Sequence, residues 1–487
     1  MSKTNSDIKN KTVSNLIWRY AERCGAQGIS FIISIVLARI LSPKEYGVIA
    51  LVTVFLSIFQ VFVDSGMGNA LIQKKDADEL DFSTIFFFNI FMCIVVYGLV
   101  YISSPLIAQY YENDSLTSII RVLGITVIIS GVKNVQQAYV SKKLIFKKFF
   151  FATLFGTLLA GVAGIVLAYK GYGVWALVAQ HILNALVDTI ILWITVKWRP
   201  HWQFSFTRLK SLFSYGWKLL VSSLINTVYN DIRQLIIGKV YSDADLAYYN
   251  RGKTFPNFVV NNINSSINSV LLPVMAEAQD DEERLKKMTR RSIMTSSFIM
   301  WPLMFGLMAT GKTLFQLLLT DKWLPSLPFL YIFCFVSGMQ PIHTANLNAI
   351  KAKGRSDIFL RMEIIKKAVG ILIILFTMKI SVFAIGMGSV FYTIFASVVN
   401  AFPNRKLLKY NYFEQIKDIS PSFILSAVMA AAVYYLPIRM LPNIVVLLIQ
   451  VVVGAVIYIG GALLFKMEAA QYVIGIYKGF RRRKNNK

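Results

Sequence analysis

The chain has 487 residues, of which 56% are hydrophobic and only 16% charged, and its mean hydropathy is +0.56. Soluble proteins carry about a quarter charged residues, so this composition excludes a disordered chain, a collagen, a coiled coil and an ordinary cytosolic enzyme. Lys and Arg outnumber Asp and Glu by 51 to 25, a net charge of +26, which in a polytopic membrane protein reports basic cytoplasmic loops rather than a nucleic-acid partner.

The polar start, MSKTNSDIKNKTVSN, runs straight into a long mixed segment with no short apolar core and no small-residue cleavage site, so no cleaved signal peptide is expected. A bilayer core of about 30 Å needs roughly 20 mostly apolar residues as helix. Fourteen such windows follow one another. The first, 15–40, carries Arg19, Glu22 and Arg23 at helical spacing on one face. Two cations against one anion leave a positive charge over, unless Glu22 merely locks the helix by pairing. The second, 46–72, contains Asp64. Windows at 82–110, 116–140 and 147–169 precede 172–197, which holds Asp188. The seventh, 212–240, bears Lys218, Ser222, Asn226, Asn230 and Arg233 on one stripe, with Asp231 beside it. The eighth, 255–277, carries Asn257, Asn261, Asn264 and Asn268 at steps of four, three and four. Amides both donate and accept, as sugar hydroxyls do; the alternative is interhelical glue, each contact worth about 0.6 kcal/mol on average. Windows at 291–319, 325–350, 357–379 (with Lys366 and Lys367), 381–403, 419–440 and 443–466 complete the series.

Loop charge tests this order. Lys74 and Lys75, Lys142 and Lys143, Lys197 and Arg199, Arg284 to Arg291, Lys351 to Arg355, and Arg405 to Lys409 all fall on alternate loops. The intervening loops are sparse in Lys and Arg, so both termini are expected in the cytoplasm. The basic tail, with Arg481 to Lys484, suits an anionic inner leaflet or serves as a plain stop-transfer anchor.

Shifting the chain by 200 residues lays Ala38–Gly47 over Gly238–Ala247, so that Ser42 meets Ser242 and Glu45 meets Asp245; further on, Asp64 meets Asn264. Six windows separate the copies, an even number, so both have one membrane orientation, as in parallel transporter repeats. The expected architecture is all-α: about fourteen transmembrane helices forming a lobe at 1–200, a second at 201–405, and two added helices with the tail at 406–487.

Several features carry no chemistry. Cys24, Cys93 and Cys334 have no metal spacing and read as apolar fillers. His181, His201 and His343 have no ligand spacing either. Gly306 to Thr313 matches G-x-x-x-x-G-K-[ST], but within an apolar helix and without the preceding strand that a P-loop needs. No catalytic residue, metal site or cofactor is expected.

LSPKEYG at Leu41–Gly47, GYGVWALV at Gly171–Val178, IIGKVYSDADLAYYNRG at Ile236–Gly252 and LLPVMAEAQDD at Leu271–Asp281 resemble Wzx-type polysaccharide flippases, in the branch that includes the colanic-acid exporter. The resemblance implies two six-helix lobes around a central cavity. It also implies the transport of undecaprenyl-pyrophosphate-linked oligosaccharide from the inner to the outer leaflet of a bacterial inner membrane, for O-antigen, capsule or exopolysaccharide. Partners implied are that lipid-linked substrate, the inner-membrane lipids, and a polysaccharide polymerase with its chain-length machinery. It transfers no ligand motif, so the candidate sites come from the polar inventory. Candidate substrate contacts are Arg19, Arg23, Lys218, Asn226, Asn230, Arg233, Asn257, Asn261, Asn264 and Asn268; candidate ion-coupling carboxylates are Glu22, Asp64 and Asp231. A cation-coupled drug exporter of the same superfamily is the alternative, and it would favour an acidic cavity. A membrane polymerase or ligase would need a large outer loop.

Overall fold

The computed structural model describes residues 25–64, 67–143, 145–436 and 441–475, without the side chains of 215, 265, 266 and 268–270. Arg19, Glu22, Arg23 and Cys24 therefore lie outside the described residues, as does the Asn268 side chain. Among the described residues the chain is helical, with no strand.

The helices in order are α1 Gly25–Ile40, α2 Pro43–Asp64, α3 Met67–Gln73, α4 Glu79–Tyr110, α5 Ser115–Lys143, α6 Lys147–Tyr169, α7 Val174–Thr195, α8 Phe206–Val240, α9 Asp243–Glu277, α10 Glu282–Leu318, a 3-10 turn at Asp321–Ser326, α11 Leu327–Gly338, α12 Gln340–Ala352, α13 Ser356–Thr377, α14 Val382–Leu407, α15 Tyr412–Tyr434 and α16 Asn443–Leu464. Among the described residues, ten segments are long and apolar enough to cross a membrane, with α2–α3 and the run from Asp321 to Ala352 each counting as one. The chain is thus a multi-pass membrane protein. The other four expected windows are also helical over their described residues. Gly25–Ile40 is a shorter apolar helix among the described residues, while α8 and α9 are long but polar and α13 is interrupted by charged residues. Those three carry the Lys218–Arg233 stripe, the asparagine series and Lys366 with Lys367.

The helices group into two compact units that part between Ala247 and Tyr248, within the first turns of α9. In the first unit α6 packs along α7 by a run of small residues at every fourth position: Ala152, Gly156, Ala160, Gly164 and Ala168 are all buried. A Cβ on Gly164 would lie 3.0 Å from Gln180 Cβ, so the two backbones approach closely. Lipid tails are as apolar as leucine, so such packing, rather than a hydrophobic driving force, holds membrane helices together. The second unit has its own core, where Trp301 of α10 meets Phe305, Phe335 and Phe423 beneath Leu285, Ile342 and Ile419.

The two copies of the 200-residue repeat open their helices identically. At the start of α2 the Ser42 hydroxyl donates to Glu45 Oε2 at 2.8 Å, and the Ser42 amide reaches the same oxygen at 2.6 Å. At the start of α9 the Ser242 hydroxyl donates to Asp245 Oδ2 at 2.7 Å, and its amide at 3.2 Å. Each carboxylate residue returns its own N–H to the serine hydroxyl, completing a reciprocal cap. Gly47 then lies against the second copy: a Cβ there would sit 1.7 Å from the Asp243 carbonyl oxygen. Gly173 of the GYGVW stretch has φ +55°, and a Cβ on it would meet Glu45 Oε1 at 2.4 Å. Residues from three of the stretches that carry the family resemblance, Leu41–Gly47, Gly171–Val178 and the start of Ile236–Gly252, thus meet within the first unit.

The Gly306–Thr313 match lies inside α10, where the Thr310 hydroxyl bonds back to the Gly306 carbonyl. Cys93 and Cys334 are buried and free.

Candidate functional site

Apolar helices of membrane length make every internal charge conspicuous, because an isolated charge at mid-bilayer costs about 2.5–3.5 kcal/mol on insertion scales. In the first unit one turn of α5 gathers two carboxylates. Lys133 Nζ lies 2.8 Å from Asp188 Oδ2 on α7, with both side chains mostly buried. The next residue, Asn134, donates its amide to Asp64 Oδ1 on α2 at 3.1 Å, and Gln60 donates to the same oxygen at 3.1 Å. Gly156 of α6 makes the room: a Cβ there would lie 3.3 Å from Asn184 Oδ1 and from Asp188 Cβ. Asp188 Oδ1 accepts no hydrogen bond among the described residues. Of the two carboxylates, Asp188 has the cation and Asp64 is held by neutral amides.

A second cluster, around a third carboxylate, joins α2 to α8. Asp231 Oδ2 accepts from the Ser57 hydroxyl at 2.8 Å, and its Oδ1 accepts from Gln234 at 2.9 Å. Ser57, Gln60 and Asp64 lie along one face of α2, so both carboxylate clusters are served by the same stripe. Lys218, Asn226 and Asn230 are exposed along α8, and Arg233 is half-buried.

In the second unit Asn257 is half-buried, Asn261 exposed, and Asn264 accepts from the Thr344 hydroxyl of α12 at 3.4 Å. The preceding residue on α12, His343, bonds through Nδ1 to the Asn400 amide of α14 at 2.9 Å. Lys366 of α13 is buried and paired with Glu363 one turn earlier. Arg251, just before the asparagine series, is buried over the Trp323 ring at 4.8 Å.

The structure therefore brings Asp64 to Gln60 and Asn134, Asp231 to Ser57 and Gln234, and Asn264 to Thr344. Lys133, Gln60, Asn134 and Ser57 do not stand out in the sequence. A lone lysine in the apolar window 116–140 is a usable signal, but its partner stands 55 positions away, and only packing pairs them.

A family of polysaccharide biosynthesis proteins matches residues 36–328, more than half of the chain, and the chain belongs to that family. Among relatives, it is 26% identical over 301 residues to the teichuronic acid biosynthesis protein TuaB of Bacillus subtilis (strain 168), covering 61% of this chain and 62% of that one. It is 23% identical over 364 residues to the succinoglycan biosynthesis transport protein ExoT of Rhizobium meliloti (strain 1021), covering 74% and 73%. The fold is that of the lipid II flippase MurJ in its inward closed conformation, with TM-score 0.73 and 14% identity over 93% of this chain and 99% of that one. The resemblance to polysaccharide exporters read from the motifs is thereby borne out at the level of family and fold.

Proposed function

We propose that the protein is a flippase. It would carry a polyprenyl-pyrophosphate-linked oligosaccharide from the inner to the outer leaflet of a bacterial inner membrane, with both termini in the cytoplasm. The observation that carries this reading is membership of a polysaccharide biosynthesis family on a membrane fold of the MurJ type, helical throughout its described elements. A diphosphate bearing sugars cannot cross hydrocarbon unaided. The surplus of basic residues suits a diphosphate, to which arginine offers forked hydrogen bonds. In this reading Arg19, Arg23, Lys218 and Arg233 contact the diphosphate end, and Asn226, Asn230, Asn257, Asn261, Asn264 and Asn268 contact sugars. The lobes at 1–200 and 201–405 rock against each other, with 406–487 added. Asp64, Asp231 and Glu22 are the coupling carboxylates; Asp64, held only by neutral amides, can change protonation without breaking an ion pair. A polysaccharide polymerase would receive the product.

The test is a deletion strain. Lipid-linked repeat units should accumulate on the cytoplasmic face, and the wild-type gene should clear them. Accumulation on the periplasmic face would assign the protein to a later, bond-making step.

A further inference from the structure

The second unit holds a cleft of about 780 Å³ at the foot of α10, α15 and the turn after α16. One wall is apolar, made by Ile424, Leu425 and Val428 of α15 and by Phe465. Ile424, Val428 and Phe465 are exposed on membrane-length helices or at their ends, so this wall faces lipid. The rim is ionic. Arg290 is saturated: its Nε lies 3.0 Å from both oxygens of Asp418, and its terminal nitrogens lie 3.0 and 2.9 Å from the two oxygens of Glu468. Lys417 and Lys466 line the same cleft, and among the described residues neither forms an ion pair. Arg291 lines an adjoining cavity that shares Glu468, with its guanidinium 5.3 Å from the Tyr472 ring. The rim therefore carries surplus positive charge directly above an apolar wall.

Lys466 is placed there at a conformational cost. It has φ +48°, the left-handed region that glycine fills without strain. Its amide reaches the Leu463 carbonyl at 3.1 Å, and the Met467 amide reaches Ala462 at 3.0 Å, so it occupies the residue position just past the helix. The strain sets a cation at the mouth of the cleft.

We propose that this cleft binds one anionic phospholipid of the surrounding bilayer, with the phosphate between Lys417 and Lys466 and an acyl chain along the α15 wall. A soluble anion would leave the apolar wall unused, and a zwitterionic lipid would leave the charge surplus unanswered. The proposal rests on the chain being a membrane protein, not on flipping, and its test needs no transport.

Full-length protein is purified in mild detergent, and retained lipid is read by native mass spectrometry after titration with phosphatidylglycerol or phosphatidylethanolamine. Phosphatidylglycerol should bind about 25-fold more tightly, about fivefold for each of the two lysines near the surface. Lys417→Gln and Lys466→Gln should each weaken it by about fivefold, and Val428→Trp should displace it with all charges intact. The paired Lys417→Arg, Lys466→Arg variant should bind as the wild type does. Lys406→Gln, on the same end but outside the cleft, should change nothing. Equal retention by the double Gln variant, or indifference to headgroup charge, overturns the proposal. One-for-one displacement by undecaprenyl phosphate also overturns it, because the cleft would then belong to the transported substrate.

Discussion

Asp188 and Lys133 are the clearest instance of a charge tolerated because it is answered. Removing one partner strands the other in hydrocarbon, at about 2.5–3.5 kcal/mol, whereas removing both restores an apolar interface. Asp188→Leu and Lys133→Leu should each lower the yield of folded protein in mild detergent, measured by monodisperse elution, and the double Leu variant should recover much of it. Equal loss in all three would mean that each side chain acts alone. Asp64→Asn is expected to behave differently, because Gln60 and Asn134 can both reorient to an amide. Yield should hold, while flipping in proteoliposomes should lose its dependence on a pH gradient. Unchanged pH dependence would remove Asp64 from coupling.

Helices and their caps carry the next level of information. The repeated serine–carboxylate caps predict that Ser42→Ala and Ser242→Ala each cost about 1 kcal/mol, read as comparable shifts in thermal unfolding. Gly47→Ala should cost more, about 1–3 kcal/mol, because the added methyl meets backbone that cannot rotate away. At the start of α4 the Asp78 carboxylate accepts the Asp81 N–H at 2.9 Å, and this bond holds its pKa below the usual range. A depressed carboxylate stabilises above the ordinary range and loses that contribution as pH falls through its folded value. Protection of the amides in the first turn of α4, taken relative to intrinsic exchange at each pH, should therefore fall in acid before that of the helix centre does. Much of this level was legible in the sequence. Hydrophobic runs mark each helix, and the 200-residue register exposes the caps, because a cap is a local pattern of a few residues. Even the polar α8 and α9 and the charged α13 could be read, since their apolar faces keep helical spacing around the Lys218, Asn257 and Lys366 series. What stayed hidden is tertiary: which carboxylate meets Lys133, and that Arg290 clasps both Asp418 and Glu468, 128 and 178 positions away. No local pattern encodes those distances.

For the molecule as a whole, the decisive question is which helix faces meet water. Exposed Ile444, Leu448, Val452 and Val456 run along one side of α16, and Phe91, Leu99, Ile102 and Leu106 along α4. Such faces must meet lipid tails, because water would leave several large apolar side chains per helix unburied. On α9 the order is reversed: Val260 is buried while Asn261, one position on, is exposed. An exposed amide on a membrane-length helix needs a polar neighbour or water. If the asparagine series lines a wet path for sugars, cysteine at 257, 261 and 264 in a cysteine-free background should react with a small water-soluble maleimide. Cysteine at 260 should resist. Asn261→Leu should then express near normally and export poorly, because water solvates what the amide leaves behind. If the series is instead dry glue, as the Thr344 bond to Asn264 would suggest for that one residue, position 264 should be protected and Asn264→Leu should lose yield, since a buried partner left unpaired costs about 1–3 kcal/mol. Uniform protection of all four cysteines would place the whole series in a closed interface and end the sugar-path reading. Labelling at 261 but not 264 would mark the boundary between path and packing within one turn of α9.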